Sequence, residues 1–173
     1  GIVMEANSVS IYDLTEPGRP MWMRFNRATS INGIFSIDGG YSYGFVSACE
    51  GRMYVANGVT VGNGYAFGWA DFAQDAGYRF DYSRLSVYRG GLSERNGTLG
   101  HVQIGSYSTA LSGCSAIAHV VMPNAPVDPA TGLRVPTLLL MGENTYVWTH
   151  NNVMRNLSVG ASTTGAITQS MVT

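Results

Sequence analysis

The chain has 173 residues, the size of one domain. Hydrophobic residues make up 45% of it and charged residues only 12%, against a usual charged share of roughly 25%. The ten basic residues are all arginine and form no run, and eleven acidic residues bring the net charge to −1. This balance argues against nucleic-acid partners, and the absence of a long apolar run argues against membrane insertion.

Short runs of β-branched and aromatic residues, separated by Gly, Asn, Asp and Pro, favour strands over helices along the whole chain. The first two runs are 2–4 and 9–12, joined by a turn at Ala6-Asn7. We predict an antiparallel hairpin here.

A predicted strand at 45–49 precedes a second hairpin that begins at 53–55. The dipeptide Asn57-Gly58 is a strong signal for a two-residue turn, and it would lead into 59–61. The alternative partner for 53–55 is the later run 67–72, and the sequence leaves both pairings open.

The second half of the chain alternates between weakly and strongly patterned segments. Residues 75–99 show little periodicity, and residues 115–122 read as a strand. The Pro-rich segment 123–132 is predicted to be a loop, because its prolines cannot occupy a central strand.

The last hairpin matches the first without a gap: three aliphatic residues at 138–140, a short turn, and an alternating strand at 145–148. From this match we expect Leu139 and Val147 to face the core.

The repeated unit of strand, loop, strand, tight turn and strand is typical of propeller blades. We therefore predict an all-β, antiparallel, propeller-like domain at 2–157, with a β-sandwich as the alternative. At about 40–45 residues per blade, the chain holds at most about four blades. Residues 158–173 are rich in Ser, Thr and Gly and form a predicted tail or partner-dependent strand.

Three segments together resemble a repeat region of tail-fibre and other virion proteins of tailed bacteriophages. The first is 9–17, which contains YDLT, followed by PMWM at 20–23. The second is GRMYV at 51–55 followed by 69–75, which contains DF at 71–72 and Asp75. The third and most specific is 122–133, which contains PNAPVDPATGL, followed by 135–137. Arg134 stands where that pattern more often has proline. The resemblance implies a propeller-like fold and a structural or host-attachment role in the virion, and it implies no active site.

The sequence gives weak support to an enzyme. The residues His101, His119 and His150 lie far apart, and no Gly-x-Ser-x-Gly motif occurs. We expect structural histidines, with His119 hydrogen-bonded inside its strand.

Paired carboxylates are the more serious enzymatic option, because glycosidases use two of them about 5–10 Å apart. Asp71 and Asp75 lie near the aromatic residues Trp69 and Phe72, and Asp81 is a weaker third candidate. The competing interpretation, which we favour, is that Asp71 caps a turn while the aromatic residues pack in the core.

We expect no cofactor and no metal. Asp128 and Asn124 in the Pro-rich loop could supply oxygen ligands to calcium, but such turns are usually Asx turns. The residues Cys49 and Cys114 are more simply two free thiols than a disulfide.

Tyrosine and arginine are enriched at protein interfaces, although tyrosine also packs in half-buried strands. A candidate contact surface consists of Tyr41, Tyr43, Tyr65, Tyr78, Tyr82, Tyr88, Arg84 and Arg89.

These observations predict a tail-fibre or spike component located in the virion, in contact with other virion proteins and with a host surface glycan as a further partner. The alternatives are a carbohydrate-binding module, a polysaccharide-degrading enzyme, and a capsid or neck decoration protein. An apolar start, an alternating segment at 166–173 and the absence of lysine to guard strand edges predict a homo-oligomer, with a trimer favoured.

Overall fold

The computed structural model describes residues 1–26, 33–35, 43–58, 65–111, 113–142, 145–148 and 153–157, with the backbone alone at 65, 108–110 and 145–148. These residues form an all-β structure with antiparallel sheets, which confirms the predicted class. The twelve strands are β1 (Ile2–Glu5), β2 (Ser8–Tyr12), β3 (Met21–Asn26), β4 (Phe45–Cys49), β5 (Arg52–Ala56), β6 (Tyr65–Asp71), β7 (Ala76–Tyr88), β8 (His101–Leu111), β9 (Ala116–Val120), β10 (Thr137–Met141), β11 (Thr145–Trp148) and β12 (Met154–Asn156).

Each sheet is a meander in which neighbours in the chain are neighbours in space. The first sheet has the order β1-β2-β3, the second β4-β5-β6-β7-β8, and the third β9-β10-β11-β12. Such an order requires only hairpin connections, which agrees with the turn residues that separate the apolar runs.

The five-stranded sheet lies between the other two, and β5 shows why. Every residue of β5 is buried, because alternate side chains enter different cores. Met53 and Val55 pack with Val9 and Phe25 of the first sheet. The intervening Tyr54 and Ala56 belong to the core that includes residues of the third sheet. The described residues thus form a stack of three sheets.

The second and third sheets pack with their strands in the same order. Strand β4 contacts β9 at one edge, and β8 contacts β12 at the other. Successive blades of a propeller pack in this way, but no closed ring or barrel is formed by the part of the chain that the structure describes. All-β and antiparallel are therefore established. The propeller-like arrangement stays a prediction, with the β-sandwich as its alternative.

The two matching hairpins both form, but their registers differ. In the first, Glu5 pairs with Ser8 across a two-residue turn. In the last, Met141 pairs with Thr145 across three residues. The expectation for Leu139 is wrong: Leu138 and Leu140 are buried in the core, and Leu139 is only partly buried. Three consecutive leucines carry no alternation, so the sequence could not determine which of them face inward. The side chain of Val147 lies outside the described part.

The Asn57-Gly58 dipeptide does not close a tight hairpin. Strand β5 pairs with β6, which confirms the alternative pairing, and Ala56 faces Phe67 across a long connection. The side chain of Asn57 is buried, and its Oδ1 accepts a hydrogen bond from the Cys114 N–H at 3.0 Å. The dipeptide therefore ties the second sheet to the chain that enters the third.

The segment 75–99 has little sequence periodicity, yet it contains β7, the longest of the strands that the structure describes. Strand β7 pairs with β6 through its first half and with β8 through its second, and register shifts interrupt the second ladder. Tyr82 has a positive φ of 51° at the change of partner. This irregularity breaks the alternation that a sequence pattern needs. In the described segments, no helix has the length and apolar character needed to span a membrane.

Candidate functional site

A buried ion pair joins the start of β5 to the end of β6. Arg52 and Asp71 are direct partners across these strands, and Arg52 Nε donates to Asp71 Oδ2 at 2.7 Å. The two side chains are only 8% and 2% exposed. Burial lowers the pKa of Arg52, but the hydrogen bond and negative charge of Asp71 outweigh it, so the net pKa is raised.

Asp71 also caps the turn that follows β6. Its Oδ1 accepts hydrogen bonds from the N–H groups of Ala73 and Gln74 at 3.1 and 3.0 Å. Both carboxylate oxygens are therefore occupied by structural partners, as the turn-cap interpretation expected. Half-buried Trp69 packs against the core, which agrees with the same interpretation.

The other two candidate acids have separate partners. Asp75 is exposed and accepts a hydrogen bond from the Leu92 N–H at 2.9 Å. Asp81 forms an ion pair with Arg79 at 2.6 Å. Since each carboxylate has its own structural partner, the geometry favours a structural role over the glycosidase pair.

The Pro-rich loop joins this cluster through Asp128. Its Oδ2 accepts from Arg52 Nη2 at 3.1 Å and from Gln74 Nε2 at 2.8 Å, and its Oδ1 accepts from the Ala130 N–H at 2.9 Å. The loop connects β9 to β10 but docks on the second sheet. We call this group of Arg52, Asp71, Gln74 and Asp128 the Arg52 cluster.

The calcium interpretation of the same loop does not fit the geometry. Asp128 faces a guanidinium, whose positive charge opposes a bound cation. Asn124 is exposed. No group of three or more His, Cys, Asp or Glu suited to a metal occurs among the described residues.

The loop itself is a small hairpin. Val127 pairs with Arg134, and the Asp128 N–H donates to the Leu133 carbonyl at 2.8 Å. Leu133 approaches Gly51, where an added Cβ would lie 2.8 Å from Leu133 Cδ1. Gly51 also has φ +70°, so this position favours glycine on both counts.

The first motif segment reaches the same end of the second sheet through Trp22. A register shift in the β2–β3 ladder leaves Trp22 as an extra residue between Met21 and Met23, which is the count of a β-bulge. The Trp22 ring contacts the Phe72 ring at a centroid distance of 5.4 Å. Phe72 directly follows Asp71, so the three segments that carry the family resemblance meet in one region.

A cleft of about 320 Å³ lies beside this contact, between the first and second sheets. Its walls include Ile2, Ile11 and Met53, with Trp22 and Phe72 on one side and Glu50 also lining it. Trp22 is 59% exposed. Glu50 has a positive φ of 46°, a conformation that non-glycine residues seldom adopt.

The histidines have structural surroundings where they are described. His119 Nδ1 and Ser47 Oγ share a hydrogen bond of 2.6 Å between the second and third sheets, and Ser47 is buried. Burial lowers the pKa of His119. Burial also lowers the pKa of His101 to about 4, with the charge of Arg79 acting in the same direction. His150 lies outside the described residues.

The predicted tyrosine and arginine surface is only partly exposed. Tyr43 and Tyr88 are core residues whose hydroxyls donate to the carbonyls of Phe35 and Glu94 at 2.8 and 2.9 Å, which is a correction to the predicted surface. The sequence pattern cannot distinguish a loop tyrosine from one that reaches back into the core.

The other members of that surface have varied positions. Tyr78 is half-buried and stacks on Trp69 with ring centroids 4.7 Å apart. Three members are exposed on or next to β7, and they remain the candidate surface: Tyr82, Arg84 and Arg89. Tyr41 and the side chain of Tyr65 lie outside the described part of the chain.

Both cysteines are free thiols, as expected. Burial raises the pKa of Cys114 and, together with the charge of Glu50, that of Cys49, in each case to about 12. Neither is therefore an activated nucleophile at neutral pH.

Comparisons with protein-family models, with curated proteins and with solved structures found no match to this chain. The fold and the site therefore define the class of protein, which is an antiparallel β protein built from three stacked meander sheets. Three of its buried polar residues link the second sheet to other parts of the fold: Ser47 bonds His119 of the third sheet, Asn57 bonds the chain that enters that sheet, and Arg52 bonds Asp128 of the Pro-rich loop.

Sequence reasoning named Asp71 and Asp128 as separate candidates and Arg52 only as part of a resembling segment, and it missed that Arg52 connects the two carboxylates. It also missed the cleft beside Trp22. The partners in these contacts lie far apart in the chain, so no spacing pattern connects them.

Proposed function

We propose that this chain is a structural component of the virion of a tailed bacteriophage, in or near the tail fibre or spike. There it displays a surface for attachment to the host or to sister subunits. The observation that carries the proposal is the convergence of the three resembling segments. Asp71 and Asp128 both bind Arg52, and Trp22 contacts Phe72, the residue that follows Asp71 in the chain.

This convergence gives the motif residues a mechanical role. Asp71 and Asp128 hold the loop of the third sheet on the second, and Trp22 of the first sheet packs on Phe72 of the second. Residues that fix three sheets relative to one another suit a module that carries load and presents a surface. They support display better than catalysis.

The outer face of the third sheet supports assembly with other subunits. It has a shallow apolar groove of about 320 Å³ lined by Ala118, Val120 and Leu139 among others, and Val120 is 48% exposed. An exposed apolar sheet face is typical of a surface that another protein covers. The proposal therefore includes a homo-oligomer, with a trimer favoured, and contacts with other virion proteins.

Two measurements test this proposal. Light scattering after size exclusion should show a multimer, and a folded monomer of 18.5 kDa that is stable on dilution would contradict the oligomer. Mass spectrometry of purified phage particles that encode this chain should detect it at several copies per particle. Its absence from particles, with expression in the infected cell, would overturn the virion role.

The proposal includes no enzymatic activity. Incubation of the folded chain with host envelope polysaccharide should release no reducing ends above a heat-denatured control. Release that is lost in Asp71→Asn or Asp75→Asn would instead support the polysaccharide-degrading alternative.

A further inference from the structure

We propose that the cleft beside Trp22 binds a saccharide, with one pyranose ring stacked on the Trp22 side chain. The inference deepens the proposed attachment role, because it names the chemical class of the ligand and the residues that hold it.

Trp22 has an exposed position that favours a ligand. A tryptophan that is 59% exposed leaves a large apolar ring in water, which is unfavourable unless something covers it. Trp22 lies at the register shift between β2 and β3, and its ring lines the cleft and contacts Phe72. Bulges are over-represented at sheet edges and next to active sites.

The size and lining of the cleft suit a sugar. A volume of about 320 Å³ is enough for a small ligand or a terminal sugar, and the lining includes the apolar side chains of Ile2, Ile11 and Met53. The cleft opens to solvent, so a bound ligand has one face on protein and one face in water. A pyranose ring has this character, with an apolar C–H face and a rim of hydroxyls.

The cleft also offers polar groups that orient such a ligand. The Trp22 indole N–H is a hydrogen-bond donor. Glu50 lines the cleft, and its Oε2 accepts from the Arg134 N–H at 3.2 Å. A donor and a charged acceptor at one apolar platform match sugar hydroxyls, which both donate and accept.

The backbone holds Glu50 near Phe72. Glu50 and Gly51, with φ of 46° and 70°, form the two-residue turn that joins β4 to β5, and a hairpin turn of this kind requires positive φ at both positions. The Phe72 N–H donates to the Gly51 carbonyl at 2.9 Å, so this turn and Phe72 lie together at one end of the second sheet.

The test is an array of oligosaccharides built from glucose, galactose, mannose, rhamnose and N-acetylglucosamine, probed with the folded chain. Fluorescence titration then gives the Kd for any oligosaccharide that binds. We expect at least one to bind. Trp22→Ala should weaken that binding about tenfold or more, because buried tryptophan contacts dominate binding energy. Trp22→Phe should retain part of the affinity through its ring.

The matched control is Ile104→Ala, since Ile104 is 54% exposed on β8 and does not line the cleft. It should bind the same oligosaccharide with unchanged Kd. Near-UV circular dichroism should show that the Trp22 variants remain folded.

Two outcomes would overturn the inference. One is that no oligosaccharide binds the folded chain, or that Trp22→Ala binds as wild type. The other is that Trp22→Ala abolishes self-association without affecting sugar binding, which would assign the cleft to a protein contact. Neither outcome touches the virion role, which detection in particles tests separately. If the chain binds sugar but is absent from particles, the cleft is still a saccharide site and the virion role is refuted.

Discussion

Substitution of Arg52 by methionine should destabilise the fold strongly. Methionine keeps much of the packing volume of the arginine stem but removes the charge. Asp71 would then be left 2% exposed with only its turn N–H partners, and Asp128 would lose its contact with the guanidinium. Removing one partner of a buried ion pair costs about 3–5 kcal/mol.

That cost can be converted into a shift in melting temperature. A domain of this size shifts by about 2–4 °C per kcal/mol, so Arg52→Met should lower Tm by about 6–20 °C. Urea unfolding followed by circular dichroism, with linear extrapolation, gives the free energy of unfolding directly.

Two further variants make the result specific. Arg84 is exposed on β7, so Arg84→Met should change stability by no more than about 0.5 kcal/mol. Arg52→Met combined with Asp71→Asn should cost less than the sum of the single changes, because the double variant leaves no unpaired charge at position 71. If Arg52→Met is as mild as Arg84→Met, or if the two changes are additive, the buried ion pair is not what ties the strands together.

Three other outcomes are expected. Folding lowers the pKa of His101 to about 4, so between about pH 6.5 and pH 4 the unfolded chain binds more protons than the folded chain. The free energy of unfolding should therefore fall as the pH is lowered from about 6.5 to about 4. In urea titrations at a series of pH values, His101→Phe should flatten this part of the curve. An unchanged slope in that variant would refute the assignment. Leu140→Ala should lower the free energy of unfolding by about 2–5 kcal/mol, and Leu139→Ala should lower it distinctly less, because of these two leucines only Leu140 is fully buried. Equal losses would contradict the observation that Leu140 faces the core and Leu139 does not. EDTA should leave the thermal midpoint unchanged, whereas a fall of more than a few degrees would reveal a bound metal.

The sequence predicts the local features of the fold well. The hairpins β1–β2 and β10–β11 follow from alternation and from short polar turns, which act over a few residues. The all-β class follows from the same signals. The sequence does not predict which side chains of β10 face the core, because its three leucines are consecutive. Packing against Ile117 and Leu111 decides which of them face inward.

The candidate site was less accessible to sequence reasoning. The Asp71 turn cap is local and was expected, but Arg52 is 19 residues from Asp71 and 76 from Asp128. Contacts over such separations leave no spacing pattern. Tyr88 belongs to the contact surface that the sequence predicts, but the structure places it in the core. Its hydroxyl donates to the Glu94 carbonyl, which the 3₁₀ turn at Leu92–Glu94 brings within reach.

The central claim is that this chain is a virion component that presents an attachment surface. Immunogold electron microscopy of intact phage particles, with antibodies raised against the folded chain, tests it most directly. The account predicts label on the tail fibre or spike, and reduced adsorption of labelled particles to host cells. Label on the capsid or neck alone, or particles that carry no label while the antibody recognises the chain in infected cells, would contradict it.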